Sequence, residues 1–161
     1  MTGEEWALAA TVYCSGLGAG FLGGLATIIR PMQAAMDGRG FRSFIEALLP
    51  VAKHGVGGVF NFVWSGATFL LAILALVLLW DDPGSTSFVL TAIGLAVVFV
   101  GVIIVSNVWK TPTYKMILAL NPDDLPPDWE AVRRRYFAIN WLQFAANGVA
   151  FALFLGALIA L

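Results

Sequence analysis

Four long stretches without a charged side chain constrain the fold of this sequence more than any other feature. They cover residues 6–29, 55–80, 87–109 and 136–160. Each exceeds the roughly 20 residues that a helix needs to cross the hydrocarbon core of a bilayer. Only 12% of the residues are charged, whereas a typical soluble domain has about 25%. The sequence therefore predicts an all-α, four-transmembrane-helix bundle in which residues 1–161 form a single integral membrane domain.

The basic residues predict how this bundle is oriented. All 9 Lys and Arg residues lie in the two loops 30–54 and 110–135, whereas the N-terminal tail and the turn 81–87 carry acids. Because cytoplasmic loops are enriched in Lys and Arg, both loops are predicted to be cytoplasmic and both termini to lie outside a plasma (inner) membrane. The expected partner is the lipid bilayer. A net charge of −1, without a clustered basic patch, argues against nucleic acid.

Both basic loops are predicted to contain short interfacial helices. In the first loop, large apolar side chains recur at helical spacing opposite Arg42 and Glu46. They are Phe41, Phe44, Ile45, Leu48 and Leu49. In the second loop, Asp128 is predicted to be the N-cap of a helix that continues into the fourth span. The basic run Arg133–Arg135 is interpreted as a topology anchor among lipid head groups, with an anion clamp as the alternative.

Glycines in the first span form two overlapping patterns. Gly18, Gly20 and Gly23 match the G-x-G-x-x-G fingerprint of dinucleotide-binding proteins, but the strand and the acidic residue that this fingerprint requires are missing. Gly16, Gly20 and Gly24 recur at every fourth position, which lets membrane helices approach closely. The sequence thus favours a helix-packing face, open to a second copy or to a partner in a membrane complex.

Carboxamide side chains occur in three of the four spans, and most are predicted to lie in the cytoplasmic half of the bilayer. One interpretation is that they hydrogen-bond to each other and hold the helices together, at about 0.6 kcal/mol each. The other is a polar pocket, walled by aromatic rings, that binds an amphipathic aromatic small molecule. The predicted binding residues are Asn61, Trp64, Asn107, Asn140, Gln143 and Asn147.

The sequence offers few other chemical groups. Histidine is the side chain best suited to exchange protons near neutral pH, so His54 at the entrance of the second span is a candidate catalytic base; the alternative is an ordinary interfacial residue. No pair of His or Cys residues has ligand spacing, so neither a metal nor a cofactor is predicted. The single Cys14 is interpreted as a buried thiol.

Several short motifs resemble one membrane family. They are Pro31 at the end of the first span, SNVWKTP at 106–112, Trp129, and RRYFAIN at 134–140. In these motifs the chain resembles the four-helix family known as domain of unknown function 1772, which includes the fungal anthrone oxygenases. The resemblance implies an oxidoreductase, a monooxygenase that converts polyketide anthrones to anthraquinones without an evident cofactor, with Asn107 and Asn140 matching family asparagines. Gln143 stands at a position where members of this family often have an arginine. The alternative function is a non-catalytic accessory subunit of a larger membrane complex.

Overall fold

A computed structural model describes all 161 residues, and it contains helices and no strands. We number five helices: α1 (Gly3–Ala34), α2 (Gly38–Lys53), α3 (Gly55–Leu78), α4 (Thr86–Leu118) and α5 (Trp129–Ile159). All except α2 are long and apolar enough to cross a membrane. The all-helical fold with four membrane-length helices is therefore confirmed, and the chain is a multi-pass membrane protein.

Local side-chain caps explain where the helices begin. At α1, the Thr2 hydroxyl accepts from the Glu5 N–H while the Glu5 carboxylate accepts from the Thr2 N–H, a reciprocal capping box. At α2, the Asp37 carboxylate accepts from the Gly40 N–H at 2.8 Å. Asp128 precedes α5 as predicted, but its side chain makes no capping hydrogen bond.

The four long helices form a closed ring. Helix α1 packs against α3 and α5, and α4 packs against the same two helices from the other side. All basic side chains lie at the end where α1 and α4 finish, which we call the basic end; the opposite end, with the N-terminus and the 81–85 turn, is the acidic end. At the acidic end, small residues fill the core together with Leu8: Ala7, Ala75 and Ala157.

The short helix α2 closes the basic end. Its Phe41 and Ile45 are fully buried against Ile117 of α4 and against Tyr136 and Phe137 of α5. This matches the predicted spacing of apolar residues in the first basic loop. Because α2 contributes to a buried core, it is an integral part of the bundle.

Three of the long helices contain π-helical segments, in which the hydrogen bonds skip one additional residue. The segments are Leu25–Ile29 in α1, Phe62–Ala67 in α3, and Phe99–Ile104 and Ser106–Lys110 in α4. Helix α5 is a regular α-helix over its 31 residues. A π segment can rotate the residues on its two sides relative to one another, but the buried series Val98, Val102 and Val105 stays regular through Phe99–Ile104.

Candidate functional site

Helix α5 supplies three of the four buried amides; the fourth is Gln33 of α1. Asn140, Gln143 and Asn147 are 4%, 0% and 1% exposed, respectively. Their spacing of three and four residues places them on one helix face, as the sequence predicts. This face points into the ring.

Gln143 is the centre of a hydrogen-bonded group between α4 and α5, which we call the Gln143 cluster: Gln143, Ser106 and Lys110. The Gln143 Oε1 accepts from the Lys110 Nζ at 2.7 Å. The Gln143 Nε2 donates to the Ser106 Oγ at 2.7 Å and to the Val102 carbonyl oxygen at 3.4 Å. Lys110 forms no salt bridge. The cluster therefore joins two helices around an ammonium group that has no carboxylate partner.

Three other buried polar atoms lack a hydrogen-bond partner: the Asn140 Oδ1, the Trp64 Nε1 and the Gln33 Nε2. Most buried polar atoms in proteins are hydrogen-bonded, and an unmatched one costs about 1–3 kcal/mol. Trp64 and Asn147 both lie next to Gly18, where an added Cβ would stand 2.9 Å from the Trp64 Cε3 and 3.1 Å from the Asn147 Oδ1. Trp64 and Asn147, two of the predicted binding residues, thus both pack against α1 at Gly18.

The remaining predicted site residues lie outside this buried group. Asn61 and Asn107 are both exposed. The Asn61 Nδ2 donates to the Ala52 carbonyl oxygen at 3.4 Å, and the Asn107 Nδ2 donates to the Ile103 carbonyl oxygen in its own helix at 2.8 Å. The structure therefore does not bring the amides of α3 and α4 to those of α5.

His54 lies at the junction of α2 and α3, and its side chain is exposed. It forms no side-chain hydrogen bond, so no neighbouring group orients its ring. No group of three His, Cys, Asp or Glu side chains is close enough to hold a metal ion. Cys14 is buried in α1, as the sequence predicts.

An open groove with aromatic walls runs along α1. This aromatic groove has a volume of about 560 Å³. It is lined by Val12, Tyr13, Gly16, Leu17, Gly20 and Phe21 of α1, Phe60 of α3 and Phe151 of α5. The Phe21 and Phe60 rings meet edge to face, with centroids 5.4 Å apart, and the Trp64 ring lies 6.2 Å from that of Phe21. Such a volume lies within the range of about 300–1,000 Å³ that is typical of small-molecule sites.

The three glycines of the predicted packing face differ in their surroundings. A Cβ added at Gly16 would lie 3.2 Å from the Phe151 ring, whereas one added at Gly20 or Gly24 would meet no atom within 4 Å. The contacts within the bundle instead involve Gly18 and Gly23, the latter against Phe144. Gly20 and Gly24 are thus left free for a molecule outside the chain.

Sequence reasoning did not single out Lys110, Ser106 or Gln33 as site residues. Lys110 was expected to contribute only to the charge of a loop. The sequence feature that indicates a shared site is the spacing of Ser106 and Lys110, which are four residues apart at the end of the third span and therefore lie on one helix face. Gln33 gave a weaker signal, as an uncharged polar residue just beyond the first span.

The chain matches no known protein-family profile, no curated protein and no solved structure. Its class therefore follows from the fold: a multi-pass helical membrane protein with a buried amide–lysine cluster at one end and an aromatic groove along its first helix.

Proposed function

We propose that this protein binds an aromatic, membrane-soluble small molecule in the aromatic groove. The observation that carries the proposal is the composition of the groove walls: rings of Tyr13, Phe21, Phe60 and Phe151 surround a space that the glycines leave open. Flat aromatic ligands pack well against such walls. The groove opens away from the bundle, so a ligand dissolved in the bilayer reaches it without crossing water.

Trp64 is the residue that we propose orients the ligand. It packs against Phe21 of the groove, and its indole N–H is a buried donor without an acceptor. A carbonyl or phenolic oxygen on the ligand would supply that acceptor. The sequence predicts a ligand among the amides near the cytoplasmic leaflet; of these, Asn140 has a buried acceptor atom without a partner, but it does not line the aromatic groove.

The proposed reaction is oxidation of an anthrone-type substrate, as the family resemblance implies. The methylene carbon of the anthrone loses two hydrogens and gains one oxygen atom from O₂, which gives the quinone carbonyl; the other oxygen atom leaves as water. This reaction needs a proton acceptor for the methylene carbon. His54 is the proposed acceptor, and His54→Gln should lower turnover while leaving binding unchanged.

The protein is proposed to lie in the plasma membrane with the basic end in the cytoplasm. All Lys and Arg residues lie at this end, in agreement with the positive-inside rule. The aromatic groove then faces the hydrocarbon core.

Binding is tested with anthraquinone, and turnover with anthrone, on the purified protein in detergent. Trp64→Phe keeps an aromatic ring but removes the donor, so anthraquinone should bind about three- to tenfold more weakly, as expected for one lost neutral hydrogen bond. Gly20→Leu should abolish binding, because the leucine fills the groove. Wild-type protein that neither binds anthraquinone nor consumes oxygen with anthrone would refute the proposal.

The second candidate function is a non-catalytic subunit of a membrane complex, joined through the face formed by Gly16, Gly20 and Gly24. The observation that favours it is the empty space over Gly20 and Gly24, where another helix backbone can come close. Gly24→Leu separates the two functions, because Gly24 does not line the aromatic groove. It should disrupt an assembly, measured by native mass spectrometry, yet leave anthraquinone binding intact.

A further inference from the structure

Three consecutive arginines near the start of α5 differ in their contacts. The Arg133 Nη1 donates to the Met36 carbonyl oxygen at 2.7 Å, which holds α5 against the segment that follows α1. Arg134 pairs with Glu130 one turn earlier, at 3.6 Å. Arg135 has neither a salt bridge nor a side-chain hydrogen bond, and it is exposed. Its charge is thus free to pair with a group outside the chain.

Arg135 lies at one end of a separate apolar groove between α4 and α5, which we call the basic groove. The groove has a volume of about 240 Å³ and is lined by Trp109, Arg135, Ala138, Ile139 and Leu142. The four residues from α5 have the spacing of a single helix face. From Arg135 to Leu142 this face rises by roughly 10 Å, away from the basic end and toward the middle of the bundle. One cation therefore stands at the end of a strip that is otherwise apolar.

We propose that the basic groove is a binding site for an anionic phospholipid, with its phosphate at Arg135 and one acyl chain along Ala138, Ile139 and Leu142. The planar guanidinium group matches phosphate oxygens with two parallel hydrogen bonds. Basic pockets between membrane helices at this level bind anionic head groups, and tryptophans such as Trp109 concentrate at the membrane interface. The neighbouring Lys110 does not compete for the phosphate, because its ammonium group points to Gln143.

The experiment compares phosphatidylglycerol with phosphatidylcholine, each titrated into the delipidated protein in detergent and counted by native mass spectrometry. Wild-type protein should bind one phosphatidylglycerol about fivefold more tightly than phosphatidylcholine, the factor expected for one basic side chain at the interface. Arg135→Gln should remove this preference. Arg134→Gln is the matched control: it deletes the same charge from the adjacent position and should keep the preference.

A second pair of variants tests the acyl-chain part of the site at constant charge. Ala138→Trp fills the groove and should prevent lipid binding, whereas Ala145→Trp, at another exposed position of α5, should not. Equal effects of Arg135→Gln and Arg134→Gln, or unchanged binding in Ala138→Trp, would overturn the proposal. Displacement of the lipid by millimolar inorganic phosphate would also overturn it, because the site would then recognise the free anion.

Discussion

At the scale of single residues, Gln143 determines how α4 and α5 fit together. A fully buried amide must have its donors and acceptor satisfied, and Gln143 meets this requirement with Lys110, Ser106 and the Val102 carbonyl oxygen. Lys110 in turn depends on Gln143, because no carboxylate contacts its ammonium group. The two side chains therefore act as a pair, and removing one leaves the other without its hydrogen-bond partner.

Gln143→Met should destabilise the bundle by about 1–3 kcal/mol, because it leaves the Lys110 ammonium group and the Ser106 hydroxyl without their partner. The double variant Gln143→Met/Lys110→Met removes both groups and should recover part of that loss. Thermal unfolding in detergent, followed by circular dichroism, measures both effects. If the two single losses simply add in the double variant, the side chains are not coupled.

Gly18 and Gly20 should respond in opposite ways to alanine. A Cβ at Gly18 meets Trp64 and Asn147 at 2.9 and 3.1 Å, so Gly18→Ala should cost about 1–3 kcal/mol through overpacking. Gly20→Ala meets nothing and should gain up to about 1 kcal/mol from the higher helix propensity of alanine. The same unfolding assay compares the two variants, and a destabilised Gly20→Ala would indicate that a second molecule covers this face.

At the scale of elements, the regular helix could be predicted in detail and the irregular ones could not. Asn140, Gln143 and Asn147 share a buried face because α5 keeps its period of 3.6 residues throughout. In α3, Asn61 lies two regular turns before the buried Thr68 and would share its face, but the π segment Phe62–Ala67 adds a residue between them. Asn61 is exposed, and no other residue of the segment Gly55–Asn61 before this π segment is buried either.

In helix α4 the buried spacing changes only across the second π segment, Ser106–Lys110. Val98, Val102 and Val105 are buried at regular spacing, and the buried series resumes at Thr113 and Ile117, one residue later than this spacing requires. Asn107 lies two residues after the buried Val105, roughly 200° around the helix, so its amide is exposed on the opposite face. No pattern of residue types in the sequence marks a π segment. The predicted meeting of amides from three helices fails because Asn61 and Asn107 lie at exposed positions of α3 and α4.

Helix α2 is expected to contribute substantially to stability. Phe41 is fully buried, and its ring meets those of Tyr136 and Phe137 edge to face at 5.8 and 6.1 Å. Phe41→Ala should therefore cost about 3–5 kcal/mol. Phe44→Ala, one turn away and only partly buried, should cost less. Protease cleavage within α2 should become faster in the first variant; equal cleavage rates would mean that α2 does not depend on this contact.

At the scale of the whole molecule, the separation of charge between the two ends predicts the topology. The number of spans follows from hydropathy, because the bilayer sets both the length and the composition of a helix that crosses it. Their limits do not, since α1 and α4 continue beyond the predicted ends at 29 and 109 to Ala34 and Leu118. The predicted orientation rests on the Lys and Arg residues, all of which lie at the basic end.

Single cysteines in a Cys14→Ala background test this orientation. Gly84→Cys, in the turn at the acidic end, should react with a membrane-impermeant maleimide in intact cells. Ser43→Cys, exposed on α2, should react only after the cells are permeabilised. The reverse pattern would place the basic end outside, contrary to the positive-inside rule.

The two ends also differ in how their helices are joined. At the basic end, directional bonds between segments fix their relative rotation, as those from Arg42 to the Leu118 carbonyl oxygen and from Arg133 to Met36 do. At the acidic end, Thr11 and Thr91 bond only within their own helices, and apolar contacts of alanines and leucines join the segments. Apolar packing sets the helix crossing angle through side-chain shape and without directional bonds, so we expect α1, α3 and α5 to be displaced more easily there than at the basic end. We therefore expect a thinner or thicker bilayer to change the helix tilt at the acidic end first and to leave the geometry around Gln143 in place.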